Sequence, residues 1–254
     1  MKEAKVVAVK ACKGGNGSTT LAYLLSRVSA SLGHKTAIMD LDLTSYGNLS
    51  IIFDSSPEFG IQIAASRGRI SSDDFKKVSN ELFFLSCPVT PDTSEILNQA
   101  LIMDLISSSA KIFDLIVLDL PSKFYPKDSI FYYQLMELAD VNILISDFSL
   151  SSMFLLQKFV CYSRKIIAME NCKLALNKKD GKAEVGAQDF YSIVDLPIQF
   201  VIDRIAHLNS DVESGLFPRR IKKSAISKSI SLFLMNLFKG SAEVPSSSDG
   251  EFKR

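Results

Sequence analysis

The chain has 254 residues, 47% hydrophobic, with 29 Lys and Arg against 28 Asp and Glu, for a net charge of +1. That size and apolar content suit one sizeable core, or two domains at most, and the charge balance excludes a global pull toward nucleic acid or an anionic membrane. No apolar run approaches the length of a spanning helix, and the first strand pattern begins almost at Met1, so no secretory leader is expected.

Val6-Val7-Ala8-Val9 marks a short buried strand over Lys5–Val9. Lys10-Ala-Cys12-Lys13-Gly14-Gly15-Asn16-Gly17-Ser18-Thr19-Thr20 follows it. A phosphate-binding P-loop is written G-x-x-x-x-G-K-[ST]. With Gly17 on the second glycine, Cys12 occupies the first-glycine position and Ser18 the lysine position. Thr19 keeps the Mg²⁺-ligand position. Apolar residues then recur at Leu21, Leu24, Leu25, Val28 and Leu32, a helical spacing over Thr19–Leu32. A strand, a glycine-rich turn and a helix start form the context in which backbone N–H groups and the helix dipole hold an anion. The plain alternative is a glycine-rich turn with no ligand.

Further strands are expected at Thr36–Leu41, Leu82–Ser86, Leu115–Leu120, Val141–Ser146, Lys173–Asn177 and Ile198–Val201. Helices are expected at Thr93–Lys111, Ser129–Leu138, Ser151–Ala168 and Ala225–Phe238. Short buried strands alternating with helices predict an α/β fold, a mostly parallel twisted sheet with helices on both faces. Ligands of such sheets sit at the carboxyl ends of the strands, and the loop, Asp40, Asp42, Asp119 and Asn177 all fall there. A single strand-end Asp is usually a helix cap or loop residue. Three of them downstream of a phosphate loop point instead to a hydrated Mg²⁺.

With these residues in place, the chain resembles the MinD/ParA family of deviant Walker-A ATPases. It is more specifically similar to the CpaE/TadZ branch of pilus assembly and polar localisation. The resemblance runs from about Lys5 to Phe238 and is carried by Lys13-Gly14-Gly15-x-Gly17-x-Thr19-Thr20, by Asp40-Leu-Asp42-Leu with Tyr46-Gly47-Asn48-Leu49, and by Asp119-Leu-Pro121. Leu174-Ala-Leu-Asn177-Lys, Ile202-Asp203 and Glu213-Ser-Gly215 extend it. It implies a P-loop NTPase architecture over 1–239, with 240–254 as a disordered tail. It implies ATP and Mg²⁺ as cofactors, held by Gly14, Gly15, Asn16, Gly17, Ser18, Thr19 and Thr20. Mg²⁺ would sit at Thr19, Asp40 and Asp119. Asp42 would stand near the attacking water, Asn177 would read adenine, and Asp203 would lie near the base. Lys13 matches the signature lysine that reaches a partner's phosphates, which implies a homodimer.

Ser18 is the main departure. A lost charge-assisted hydrogen bond costs about 1.5–3 kcal/mol, and phosphoryl transfer depends mostly on charge stabilisation. The expected protein is therefore at most a slow ATPase. Members of the branch often lack this lysine, and they commonly carry an N-terminal receiver-like domain for which this sequence shows no counterpart. Three function classes follow. The first is a nucleotide-gated localisation or assembly factor that binds other proteins of a secretion, pilus or positioning system. The second is an active partitioning ATPase cycling on DNA or membrane. The third is a nucleotide-free scaffold. Ser18 weighs against the second, and the retained loop and carboxylates weigh against the third.

Other features are secondary. Cys12, Cys87, Cys161 and Cys172 have no metal spacing and read as buried reduced thiols. His34 reads as a surface turn residue, and with His207 it is too little for a His-based metal site. Asn177 to Gly186 reads as a charged loop. The basic cluster Arg219-Arg220-Ile-Lys222-Lys223 before the last helix offers a partner, lipid or DNA contact, with the helix itself expected to pack on the sheet. Phe148–Phe159 is apolar enough for either the core or a dimer face. A cytoplasmic location is expected, with peripheral membrane or polar contact as an option and DNA disfavoured.

Overall fold

The computed structural model describes residues 4–42, 48–53, 60–61, 72–86, 99–123, 129–180, 183–204 and 224–239. Within them lie strands β1 (Lys5–Ala11), β2 (Thr36–Asp40), β3 (Lys76–Lys77), β4 (Leu82–Leu85), β5 (Leu115–Leu120), β6 (Val141–Asp147), β7 (Cys172–Lys179) and β8 (Ile198–Asp203). The helices are α1 (Ser18–Ser31), α2 (Asn48–Ile52), α3 (Gln99–Ser109), α4 (Ser129–Leu138), α5 (Leu150–Ser163), α6 (Ala187–Val194) and α7 (Ala225–Lys239). All eight strands join one sheet in the order β3-β4-β2-β5-β1-β6-β7-β8. Every pairing is parallel except β3 with β4. This is the α/β architecture that the alternation of strands and helices predicts.

Side-chain alternation sorts the sheet residues into two cores. Val7, Val9, Ile38, Val117, Ile143 and Ile145 face one side, packed with Leu21, Leu24 and Leu25 of α1, Leu49 of α2 and Ile230, Phe233 and Leu234 of α7. Val6, Ala8, Met39, Ile116, Leu118 and Leu144 face the other, under Ile102 and Ile106 of α3, Tyr132 and Leu135 of α4, Leu156 and Val160 of α5 and Phe190 of α6. The carboxyl ends of β1, β2 and β5 are therefore held by cores on both faces. The last helix is a core helix as expected: Phe233 meets Phe200 of β8 edge-on at 5.5 Å. Truncating such a ring to Ala costs about 3–5 kcal/mol.

Several elements differ from expectation. The helix expected over Ser151–Ala168 ends at Ser163, where Ile166 and Ile167 N–H groups turn back onto Ser163 O. Arg164, just past the end, pairs with Asp195 at 3.0 Å. Helices α2 and α6 and the two-residue β3 add to the expected elements. Cys161 is exposed rather than buried, because it lies on the outer face of α5; Cys172 is buried. His34 is not a free surface residue: its ring stacks on Phe238 at 4.0 Å. Within the apolar run Phe148–Phe159, Met153 and Leu156 join the core, while Phe154 is 49% exposed. Cys87, His207, Tyr46-Gly47, residues 93–98, 205–223 with the basic cluster, and the tail 240–254 lie outside the described residues. Among the described residues no helix is long and apolar enough to cross a membrane.

Candidate functional site

The loop between β1 and α1 is built by backbone conformation. Gly15 and Gly17 take φ of +81° and +98°, in the left-handed region that favours glycine. Gly17 has a second reason to lack a side chain: a Cβ there would stand 2.5 Å from Asn177 Nδ2. Gly17 is also the N-cap of α1. No side chain caps that end, and no acidic residue occupies the first turn. The leading N–H groups of a helix have no intrahelical partners, so the end of α1 holding Ser18, Thr19 and Thr20 offers an anion both donors and the positive pole of the dipole. Gly14 and Gly15 are exposed, as close approach of a ligand to the backbone requires.

Two carboxylates stand beside this end. Asp40 of β2 and Asp119 of β5 are register partners across adjacent strands, only 1% and 3% exposed. The Thr19 hydroxyl lies near enough to Asp119 to favour its charged form, which places the carboxylate pair at the first turn of α1. The Asp42 N–H donates to Asp40 Oδ1 at 3.2 Å. Asp40 Oδ2 and Asp119 Oδ1 are buried with no hydrogen-bond partner. Burial pushes the Asp40 carboxyl up to about 7, against the backbone N–H of Asp42. Burial, then the neighbouring Asp40 charge, hold Asp119 well above the usual carboxylate range.

A buried pair with two orphaned carboxylate oxygens and a threonine hydroxyl is a hard-oxygen donor set. It fits a small divalent cation, which would supply the missing partner charge. Among the described residues no group of three or more His, Cys, Asp or Glu could hold a metal alone.

On the other flank, polar groups are mutually engaged. Lys13 Nζ donates to Ser151 Oγ at 2.9 Å, and Asn16, 1% exposed, places Nδ2 3.3 Å from Ser152 Oγ. Ser149 caps α5 through the Ser152 N–H at 3.3 Å. Asp147, at the end of β6, accepts the Ser149 hydroxyl at 2.6 Å. Burial works to raise the Asp147 carboxyl, but the Ser149 and Ser152 hydroxyls, the Ser149 N–H and the Lys13 charge outweigh it and hold it below the usual value.

Asn177, at the end of β7, donates Nδ2 to Asn16 O at 2.8 Å and accepts the Lys178 N–H on Oδ1 at 2.8 Å. Its amide thus stands against the loop itself. Lys178 has φ +59°, and its Nζ donates to Gly15 O. Asp203 lies exposed at the end of the edge strand β8.

Lys10 is 2% exposed. Its Nζ donates to the carbonyls of Ala11, Pro121 and Ser122, each at 3.1 Å, and lies 4.8 Å from the Phe159 ring centroid. Burial lowers it to about 8, partly offset by the Cys12 and Asp42 charges. It joins the loop entry to the exit of β5.

The fold therefore brings Thr19, Asp40 and Asp119 together and sets Lys13, Asn16 and Asn177 on the opposite flank of the same loop. Sequence reasoning missed Asp147, Ser149, Ser151, Ser152 and Lys178. Asp147-x-Ser149-x-x-Ser152 ahead of an apolar helix was a readable cap signal; nothing local distinguished Lys178 from its lysine neighbours.

No protein-family model matches the sequence, and no curated protein matches it in sequence. Solved structures do match in fold. A ParA family ATPase from Chlorobium tepidum TLS is 17% identical, with a TM-score of 0.79 over 92% of this chain and 99% of that one. The septum site-determining protein MinD complexed with Mg-ADP, from Pyrococcus horikoshii OT3, is 17% identical, with a TM-score of 0.76 over 95% and 100%. A plasmid partition protein from Borrelia burgdorferi B31 bound to AMPPNP is 16% identical, with a TM-score of 0.69 over 94% and 99%. At these identities the likeness concerns architecture: the chain has the fold of MinD/ParA-type P-loop ATPases along nearly its whole length.

Proposed function

We propose that this chain binds ATP with Mg²⁺ at the β1–α1 loop and acts as a nucleotide-gated homodimer of the CpaE/TadZ type. It would position or assemble other proteins of a pilus, secretion or positioning system, with slow or absent hydrolysis. One observation carries the reading. An uncapped helix N-terminus behind a left-handed glycine loop stands beside two buried carboxylates, each with an orphaned oxygen. A phosphate with its metal would satisfy all of these groups. The folds that match include proteins described with Mg-ADP and with AMPPNP, which supports the choice of ligand.

In this reading the N–H groups of Gly14 to Thr20 hold the phosphates. Thr19, Asp40 and Asp119 hold Mg²⁺, directly or through water. Bound Mg²⁺ supplies the charge that neutralises phosphate oxygens. Asp42 orients water, Asn177 and Asp203 line the base side, and Lys13 serves a partner subunit. Ser18 contributes a backbone donor and a hydroxyl but no charge, which limits turnover.

The test is calorimetry of Mg-ATP and Mg-ADP binding with molecular mass measured by light scattering in the same samples. Micromolar ATP binding that drives dimerisation, lost in Lys13→Ala, supports the reading. No binding at millimolar nucleotide ends it. Turnover at the rate of an ordinary ATPase would replace the assembly role with a partitioning one.

A further inference from the structure

We infer that Lys178 supplies, from within the same subunit, the phosphate-directed charge that Ser18 removes from the loop. The inference rests on the nucleotide reading above and names a residue which that reading does not use.

Among the described residues, Lys10, Lys13 and Lys178 donate to groups in or beside the loop, and their surroundings differ. Lys10 is buried and spends its ammonium on three backbone carbonyls on the inner side of the loop entry. Lys13 donates to Ser151 and lends its charge to Asp147, on the α5 flank. Lys178 alone of the three donates to the crest of the loop, at the carbonyl of Gly15. That carbonyl takes one of the three N–H donors of an ammonium, and the side chain is only half-buried. A neutral carbonyl is a weaker partner than a phosphate oxygen.

The backbone is arranged to aim this side chain. Lys178 holds φ +59°, a region uncommon for a non-glycine residue. Asn177 fixes it there by accepting the Lys178 N–H at 2.8 Å while donating to Asn16 O at 2.8 Å. The same Asn177 amide occupies the space where a Gly17 side chain would stand. Asn177 therefore ties the end of β7 to the loop, and Lys178 is carried with it. A regular strand would send residue 178 to the opposite face from 177. The positive φ breaks that alternation, and both side chains reach loop backbone.

The experiment compares wild-type chain with Lys178→Gln and Lys178→Arg. Calorimetry of ATP, ADP and AMP is run with Mg²⁺, and thermal melts of the same samples report folding. Lys178→Gln is expected to weaken ATP and ADP by about tenfold or more with little change for AMP, and Lys178→Arg to stay within a few-fold of wild type. Lys178→Gln binding ATP like wild type would overturn the proposal and leave Lys178 as a fastening of the loop. An equal loss for AMP and ATP, or a lowered melting temperature, would also overturn it, because it would place the effect in loop structure. A wild-type chain that binds no nucleotide would overturn this inference together with the nucleotide reading, whereas a wild type that binds and a glutamine variant that matches it sinks only the role of Lys178.

Discussion

The two flanks of the loop differ in how they satisfy their polar groups. On the β6–β7 side, Lys13, Asn16, Asp147, Ser149, Ser151, Ser152 and Asn177 bond to one another or to the loop backbone. On the β2–β5 side, Asp40 and Asp119 are buried side by side with an oxygen each left over. An unpartnered buried polar group is costly, and a charged one more so. The first flank is complete as a protein structure. The second has two carboxylate oxygens to spare, so the cation of the proposed reading would be held on one side of the loop.

The change that should break this contrast most is Gly17→Ala. The new methyl meets Asn177 at a distance no Cβ tolerates, in a backbone conformation unsuited to alanine. It should weaken nucleotide binding strongly in titrations and lower the melting temperature, since it displaces Asn177 from the loop and strains the N-cap of α1.

Next in size is the carboxylate pair. Asp40 has a folded pKa of about 7, above its unfolded value. Between about pH 4 and 7 the native state therefore holds a proton that the unfolded chain has released, and stability from this group falls as pH rises through that window. Asp40→Asn should stabilise the Mg²⁺-free chain near neutral pH by about 1–3 kcal/mol and flatten the pH dependence of its melting temperature. The same variant should lose the strengthening of ATP binding by Mg²⁺. A wild-type melting temperature that rises from pH 5 to 8 relative to Asp40→Asn would contradict the burial argument.

Ser18→Lys should sharpen the comparison from the other direction. Restoring the loop lysine should tighten ATP by about tenfold to 100-fold and raise turnover, measured by phosphate release. The smallest effect is expected on the complete flank. Ser149→Ala removes the cap of α5 and should cost about 1 kcal/mol in denaturant unfolding, with Mg²⁺ dependence of nucleotide binding unchanged.

Much of this contrast was legible from residues. The alternation of apolar strands with helices gave the sheet and its two faces, because each strand expected from the sequence carries an apolar run. The nearness of Asp40, Asp119 and Thr19 was legible, since strand ends and a glycine loop fix their neighbourhood. Elements without a pattern were not. β3 is two lysines, α2 is little more than one turn, and α6 buries only Phe190 and Val194. The engagement of the β6–β7 flank was equally hidden. It depends on which strands lie beside β1, so residues more than a hundred positions apart, such as Asn16 and Asn177, meet only through topology. Lys178 reaches Gly15 by a single dihedral that no periodicity announces.

The Lys10 ammonium has a consequence for how firmly the carboxylate wall stands. β1 and β5 are already hydrogen-bonded neighbours, and by bonding Ala11 on β1 and Pro121 and Ser122 beyond β5 Lys10 fastens the chain on past the point where the ladder ends. A cation held at Asp119 under the proposed reading would meet a wall that does not spread, and such a wall would favour a small ion with strict octahedral geometry over a larger one that needs more ligands.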